Sequence, residues 1–98
     1  MKYIIAVIQP DRLDAVLKVL TEKEIHLVTA STVVGRGRQK GIAEVYRSQK
    51  EAGSLLRKVK LEIAVNDEYV KPAVDAIMET ARTGKVGDGK IFVLDLDQ

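Results

Sequence analysis

Two stretches of the chain carry the same succession of strand, helix and strand, and this doubling restricts the fold more than any other feature. Lys2 to Gln9 is a short run rich in Ile and Val, closed by Pro10, and predicts a buried strand. From Asp11 the period changes: Leu13, Val16, Leu17 and Leu20 fall at i, i+3, i+4 and i+7, one apolar face of a helix. Pro10 and Asp11 suit its start, since Pro lacks the N–H that a first turn leaves unused and Asp favours the positive pole. Ile25 to Val34 returns to strand composition, and Gly35-Arg36-Gly37 is expected to interrupt it. Lys58 to Val65 alternates through Val59, Leu61 and Ile63 and reads as a third strand. Asp67 and Glu68 open a second helical stretch with Val70, Val74, Ile77 and Ala81 on one face. Pro72 sets the regular helix to begin close to it. Lys90 to Leu96 closes the chain as a final strand. The halves match at an offset of 58, Ala6-Val7 with Ala64-Val65 and Ala15-Val16 with Ala73-Val74.

Two such units predict one domain over residues 1–98, an α+β ferredoxin-like βαββαβ sandwich with both helices on one face of an antiparallel sheet. The other sheet face must be polar or hidden, so a homo-oligomer is expected. Apolar residues make up 46% of the chain, enough for a core and too many for a disordered segment. With no Trp and a single Phe, that core must come from Val, Ile, Leu and Ala. The absence of cysteine removes disulfides, thiolate metal sites and cysteine nucleophiles, in keeping with a cytoplasmic protein. The apolar runs are far too short to span a bilayer and no leader pattern is read at the start, so no membrane insertion is expected.

Net charge is +2 but unevenly spread. Arg36 to Lys60 holds eight Lys or Arg against two Glu, an excess of +6, which leaves the remainder at −4. Such a block attracts phosphates, nucleic acid or an acidic protein surface, or serves only as a solvated loop. Residues 38–57 are polar and without clear periodicity, and a connection of that length inside a small domain is usually functional or mobile.

Gly84-Lys85-Val86-Gly87-Asp88-Gly89-Lys90 matches the glycines and lysine of a phosphate-binding loop. It has Ile91 where a magnesium-binding Ser or Thr belongs, and it runs from helix to strand, which excludes an ordinary P-loop NTPase. Closely spaced glycines still let backbone N–H groups converge on phosphate oxygens, with Lys85 and Lys90 adding charge; the competing reading is a plain turn. Gly35-Arg36-Gly37-Arg38-Gln39-Lys40 opens like a dinucleotide fingerprint but has Lys40 at the third glycine position and leads into no helix. His26 is the only histidine and cannot by itself build a metal site or a triad. No nucleophile–base set or close carboxylate pair is evident, so the chain is not expected to be an enzyme.

Thr83 to Val93 resembles, without a gap, the C-terminal signature of the PII signal-transduction proteins. Gly35 to Gly41, then Glu44 and Tyr46-Arg47, resembles the start of the family's T-loop, and Lys58-Val59-Lys60-Leu61-Glu62 the strand after it. The likeness runs over essentially the whole chain. It implies a homotrimer with adenine nucleotides (ATP, ADP or AMP) in the clefts between subunits. By resemblance, Gly35, Gly37, Arg38, Gln39, Gly87, Asp88, Gly89 and Lys90 surround the nucleotide, with Thr29 and Ala64 near the base. Gln39, Lys40, Lys58 and Gly87 hold a small anion, 2-oxoglutarate or bicarbonate, and Gln39 completes the shell of the Mg²⁺ that accompanies ATP. Residues 38–57 are then the T-loop that grips a partner enzyme or transporter, and 83–89 the phosphate-binding B-loop.

Two departures mark a divergent member. After Tyr46-Arg47 the chain reads Ser48-Gln49-Lys50-Glu51-Ala52, so Glu51 stands in place of the modified tyrosine and uridylylation there is excluded. Typical members continue past the last strand with a basic segment that reaches the neighbouring site, whereas this sequence stops at Gln98. A natural end there implies fewer arginine contacts and altered discrimination among ATP, ADP and AMP. The reading from a different class is a nucleic-acid-binding ferredoxin-like module, for which the strands offer only Tyr3 and Phe92 as stacking platforms.

Overall fold

The computed structural model describes residues 1–36, 55–82 and 89–97. Four strands, β1 (Lys2–Ile8), β2 (Thr29–Arg36), β3 (Leu55–Val65) and β4 (Gly89–Asp95), form one sheet in the order β2-β3-β1-β4. Every neighbouring pair is antiparallel. Helices α1 (Leu13–Glu22) and α2 (Val70–Ala81) link β1 to β2 and β3 to β4, which is the ferredoxin-like arrangement expected. None of the described helices is long and apolar enough to cross a membrane.

Register divides the strands cleanly. Ile4 lies opposite Ile63, Ala6 opposite Leu61 and Ile8 opposite Val59, and all six are buried beneath the helices. Val16 and Leu20 from α1 and Ala73, Ala76, Ile77 and Ala81 from α2 complete the layer, with no buried polar or charged residue among those described. Branched aliphatic and Ala side chains thus supply the whole core, as the composition requires.

The internal repeat is real, but its offset is 57. The 3-10 turn Pro10–Arg12 corresponds to Asp67–Tyr69, and the starts of the two helices, Leu13 and Val70, correspond as well. Buried Val16 answers to buried Ala73, and Leu20 to Ile77. The dipeptide match at 58 pairs Ala6, which is buried, with Ala64, which is exposed. A shift of one residue turns a strand over, so those dipeptides are not equivalent positions.

Three boundaries differ from the sequence reading. β2 begins at Thr29 rather than Ile25, because α1 ends in a six-residue cap. Glu24 takes a left-handed φ of 64°, its N–H donates to the Thr21 carbonyl, and the Ile25 N–H donates to that of Leu20. This is a Schellman cap, and buried Ile25 packs as its apolar closing residue. β2 also runs straight through Gly35, which pairs with Leu56, to Arg36, which pairs with Leu55. The glycine therefore does not interrupt the strand. Correspondingly, β3 begins at Leu55, so residues 55–57 are strand and not part of the loop assigned to 38–57. Pro72 is the third residue of α2, where the backbone donor is unused in any case.

Candidate functional site

The sheet face turned away from the helices carries Thr29, Ser31, Val33 and Gly35 of β2 and Leu56, Lys58, Lys60, Glu62 and Ala64 of β3, by the alternation of the strands. Tyr3, Ile5 and Val7 of β1 and Lys90, Phe92 and Leu94 of β4 continue it. Every described candidate with a side chain, Thr29, Lys58, Ala64 and Lys90, therefore points from the same face. Gly35 shares it, and Gly89 sits at the strand edge of the loop that precedes β4. Gly37, Arg38, Gln39, Lys40, Gly87 and Asp88, with nearly all of the two loops assigned to 38–57 and 83–89, lie outside the described residues.

The described candidates do not form one pocket within the chain. Thr29 lies opposite Glu62, two residues from Ala64, at one end of the sheet. Gly35 and Lys58 are at the other end, where Ile8 is opposite both Val59 and Gly89. Six residues of strand separate the groups, roughly 20 Å.

These ends differ in charge. Toward the Gly89 end stand Arg12, Arg36, Arg57, Lys58, Arg82 and Lys90, against Asp11, Asp14 and Glu79 among the described residues, by their places in the elements. At the Ala64 end the acids Glu22, Glu24, Asp67, Glu68, Asp95 and Asp97 outnumber Lys2, Lys23, Lys71 and His26. Each helix end matches its surroundings in α2, with Asp67 and Glu68 before the N-terminus and Arg82 after the C-terminus. One end of the sheet is thus suited to phosphate and carboxylate groups.

At the basic end a cleft of about 340 Å³ opens between the last turn of α2 and strands β1 and β4, lined by Ile77, Ala81, Arg82, Gly89, Lys90 and Ile91 among others. Gly89 has φ 129°, and a Cβ built on it would stand 1.9 Å from the Val7 carbonyl oxygen. Only glycine lets the chain enter β4 this close to β1. Arg82 was not foreseen; a cation directly after a helix and before a glycine-rich run was the available signal. A second cleft of about 330 Å³ at the acidic end includes Ala64, His26, Asn66 and Tyr69. His26 is exposed there, and no metal-holding cluster of His, Asp or Glu occurs among the described residues.

Two cross-strand pairs fix the acidic end. Lys2 donates to Asp95, directly opposite, which holds the Asp95 carboxyl below the usual carboxylate range and raises Lys2. Tyr3 donates its hydroxyl to Glu62 on the open face, and this bond raises the Tyr3 pKa.

A ferredoxin-like fold with one basic end of its sheet defines a class of α+β domain with a surface suited to anionic groups. Comparison with known proteins gives that class its particular family. The family model described as nitrogen regulatory protein P-II matches residues 1–98. The chain is 50% identical over 99 residues to nitrogen regulatory protein GlnK1 of Methanosarcina mazei, covering 99% of this chain and 85% of that one. It is also 50% identical to nitrogen regulatory protein P-II of Pasteurella multocida over 98 residues, covering 100% and 88%. Nitrogen regulatory protein P-II 1 of Escherichia coli K12 matches at 50% over 96 residues, covering 98% and 86%. The chain belongs to the P-II family, whose members are signalling proteins and not enzymes. The nucleic-acid reading finds no support in these likenesses.

Proposed function

We propose that this chain is a cytoplasmic regulatory subunit that reads adenine nucleotides and reports them to a target protein. Three copies assemble as a homotrimer, and ATP, ADP or AMP binds in the clefts between them. The observation that carries this reading is the separation of the candidates: Thr29 and Ala64 lie roughly 20 Å along the strands from Lys58 and Gly35. One chain cannot bring both groups to one nucleotide, whereas neighbouring copies can, the base resting near Thr29 and Ala64 of one and the phosphates on the basic end of the next. Gly35, Gly37, Arg38, Gln39, Gly87, Asp88, Gly89 and Lys90 serve the phosphates. The basic charge of that end and the close approach forced at Gly89 support this assignment.

The second ligand is a small anion held by Gln39, Lys40, Lys58 and Gly87, with Mg²⁺ on Gln39 when ATP is bound. 2-Oxoglutarate is favoured by the retained Gln39 and Lys58, and bicarbonate follows because the loop tip departs from the usual pattern. Binding favours one arrangement of the T-loop over others, and that difference in affinity shifts what the partner enzyme or transporter meets. Glu51 cannot accept a nucleotidyl group, so the signal at that position is ligand-driven.

Calorimetric titration with ATP, ADP and AMP, each with and without 2-oxoglutarate or bicarbonate, tests the reading. Lys90→Ala is expected to weaken nucleotide binding by about tenfold or more, since a hydrogen bond to a charged group contributes roughly 1.5–3 kcal/mol. A wild type that binds no adenine nucleotide contradicts the proposal.

A further inference from the structure

The open sheet face, turned away from the helices, is both apolar and charged. Tyr3, Ile5 and Val7 of β1 lie opposite Leu94, Phe92 and Lys90 of β4, and Phe92 and Leu94 are exposed in the single chain. A sheet face of this composition calls for a cover. The charges on it are unequal in number. Lys58, Lys60 and Lys90 stand there against a single acid among the described residues, Glu62.

Lys60 lies opposite Val7 on β1 and Ser31 on β2, half-buried between two neighbours that carry no negative charge. It takes part in none of the ion pairs of the described residues. Glu62 is two positions along the same face, but Tyr3 draws its carboxylate the other way. Glu62 lies opposite Ile5, and Tyr3 lies opposite Ala64, one step further from Lys60; the Tyr3 hydroxyl donates to Glu62 Oε2. A carboxylate accepts through both oxygens, so this bond holds Glu62 in place and leaves it able to take a cation. An ammonium on a face that becomes covered needs an acid from whatever covers it, since a charge removed from water without a partner is costly.

When copies of this chain turn their open faces toward one another, each offers that acid at one position only, Glu62, among the described residues. A closed symmetric assembly then repeats the same contact at every interface. We infer that Lys60 of one copy pairs with Glu62 of the next, and that this pair makes the open face select another copy of the chain. Opposite charges at matched positions set the register and reject partners that bring like charges together. The inference rests on the homotrimer proposed above and names a contact that specifies it.

Light scattering of the full chain at micromolar concentration reads the assembly, with Lys60→Glu, Glu62→Lys and the double variant carrying both changes compared with wild type. Wild type should scatter as three subunits of 10.8 kDa. Each single change sets like charges against each other and should raise the concentration of half-dissociation by about tenfold or more, and the double variant should recover most of that loss. Lys60→Gln, which removes the cation without adding an acid, should shift the assembly in the same direction by less, and it serves if Lys60→Glu does not fold. Single variants that assemble like wild type, or a folded double variant that recovers nothing, overturn the pair while the wild-type mass upholds the assembly. A wild type at one subunit mass overturns both.

Discussion

At Gly89 the backbone enters β4 so close to β1 that a methyl group has no room, and the φ of 129° is one that side-chain-bearing residues rarely adopt. Gly89→Ala must therefore shift the Val7–Ile8 backbone or break the first pairing of β4. Strain of that kind together with overpacking predicts a loss of roughly 2–4 kcal/mol, read as a lower denaturation midpoint in urea. Gly35, on the opposite edge strand, gives the contrast, since a Cβ added there meets nothing within 4 Å. The sequence identified both glycines as candidates but not this difference, which depends on the carbonyl of a residue more than eighty positions away.

Among the elements, those packed on the core were legible, because the apolar run of β1, the alternation of Val59, Leu61 and Ile63 in β3 and the i, i+3, i+4 spacing in α1 and α2 reflect the core directly. The ends of β2 and β3 were not. Residues 55–57 combine Leu with Arg, and Thr29 to Arg36 is nearly all exposed in the single chain, so no burial pattern marks them as strand. The start of β2 was hidden by the Schellman cap, in which Ile25 is buried by a helix end and not by the sheet. Pairing at the strand ends also sets the response to pH. Lys2 holds the Asp95 carboxyl below its ordinary value, so the stabilisation is complete above the usual carboxylate range and is lost as pH falls through the folded value. Lys2 is raised by the same bond, and its share is lost only as pH rises past the ordinary lysine range. Across neutral pH the pair is therefore constant. Asp95→Asn should lower stability slightly at pH ~7, and the difference should shrink as pH falls below the ordinary carboxylate range and wild-type Asp95 takes up its proton. Urea unfolding at neutral and at acid pH checks this; a difference that does not change with pH would separate the effect from the Lys2 charge pair.

For the whole molecule, the decisive arrangement is a sheet polarised from end to end, with Thr29 and Ala64 at the acidic end and Gly35, Lys58, Gly89 and Lys90 at the basic one. Of the candidate residues, the glycines and lysines of the loop before β4 stand out in the sequence itself, whereas Thr29, Ala64 and Lys58 come only from the family resemblance. The division of the candidates between two ends was not readable, because it follows from the antiparallel register of the four strands. That division is what calls for a site shared between copies, and subunit mixing measures it. In the proposed site, Lys90→Ala removes a phosphate contact and Thr29→Trp, on an exposed edge strand, fills the place of the base, so each variant alone should bind ATP weakly. In the proposed homotrimer, co-expression of the two variants should give some clefts with Lys90 from one subunit and Thr29 from its neighbour. The shared site predicts that ATP binding at wild-type affinity returns in the mixed assemblies, at a reduced number of sites. Binding no better than that of the separate variants would contradict it.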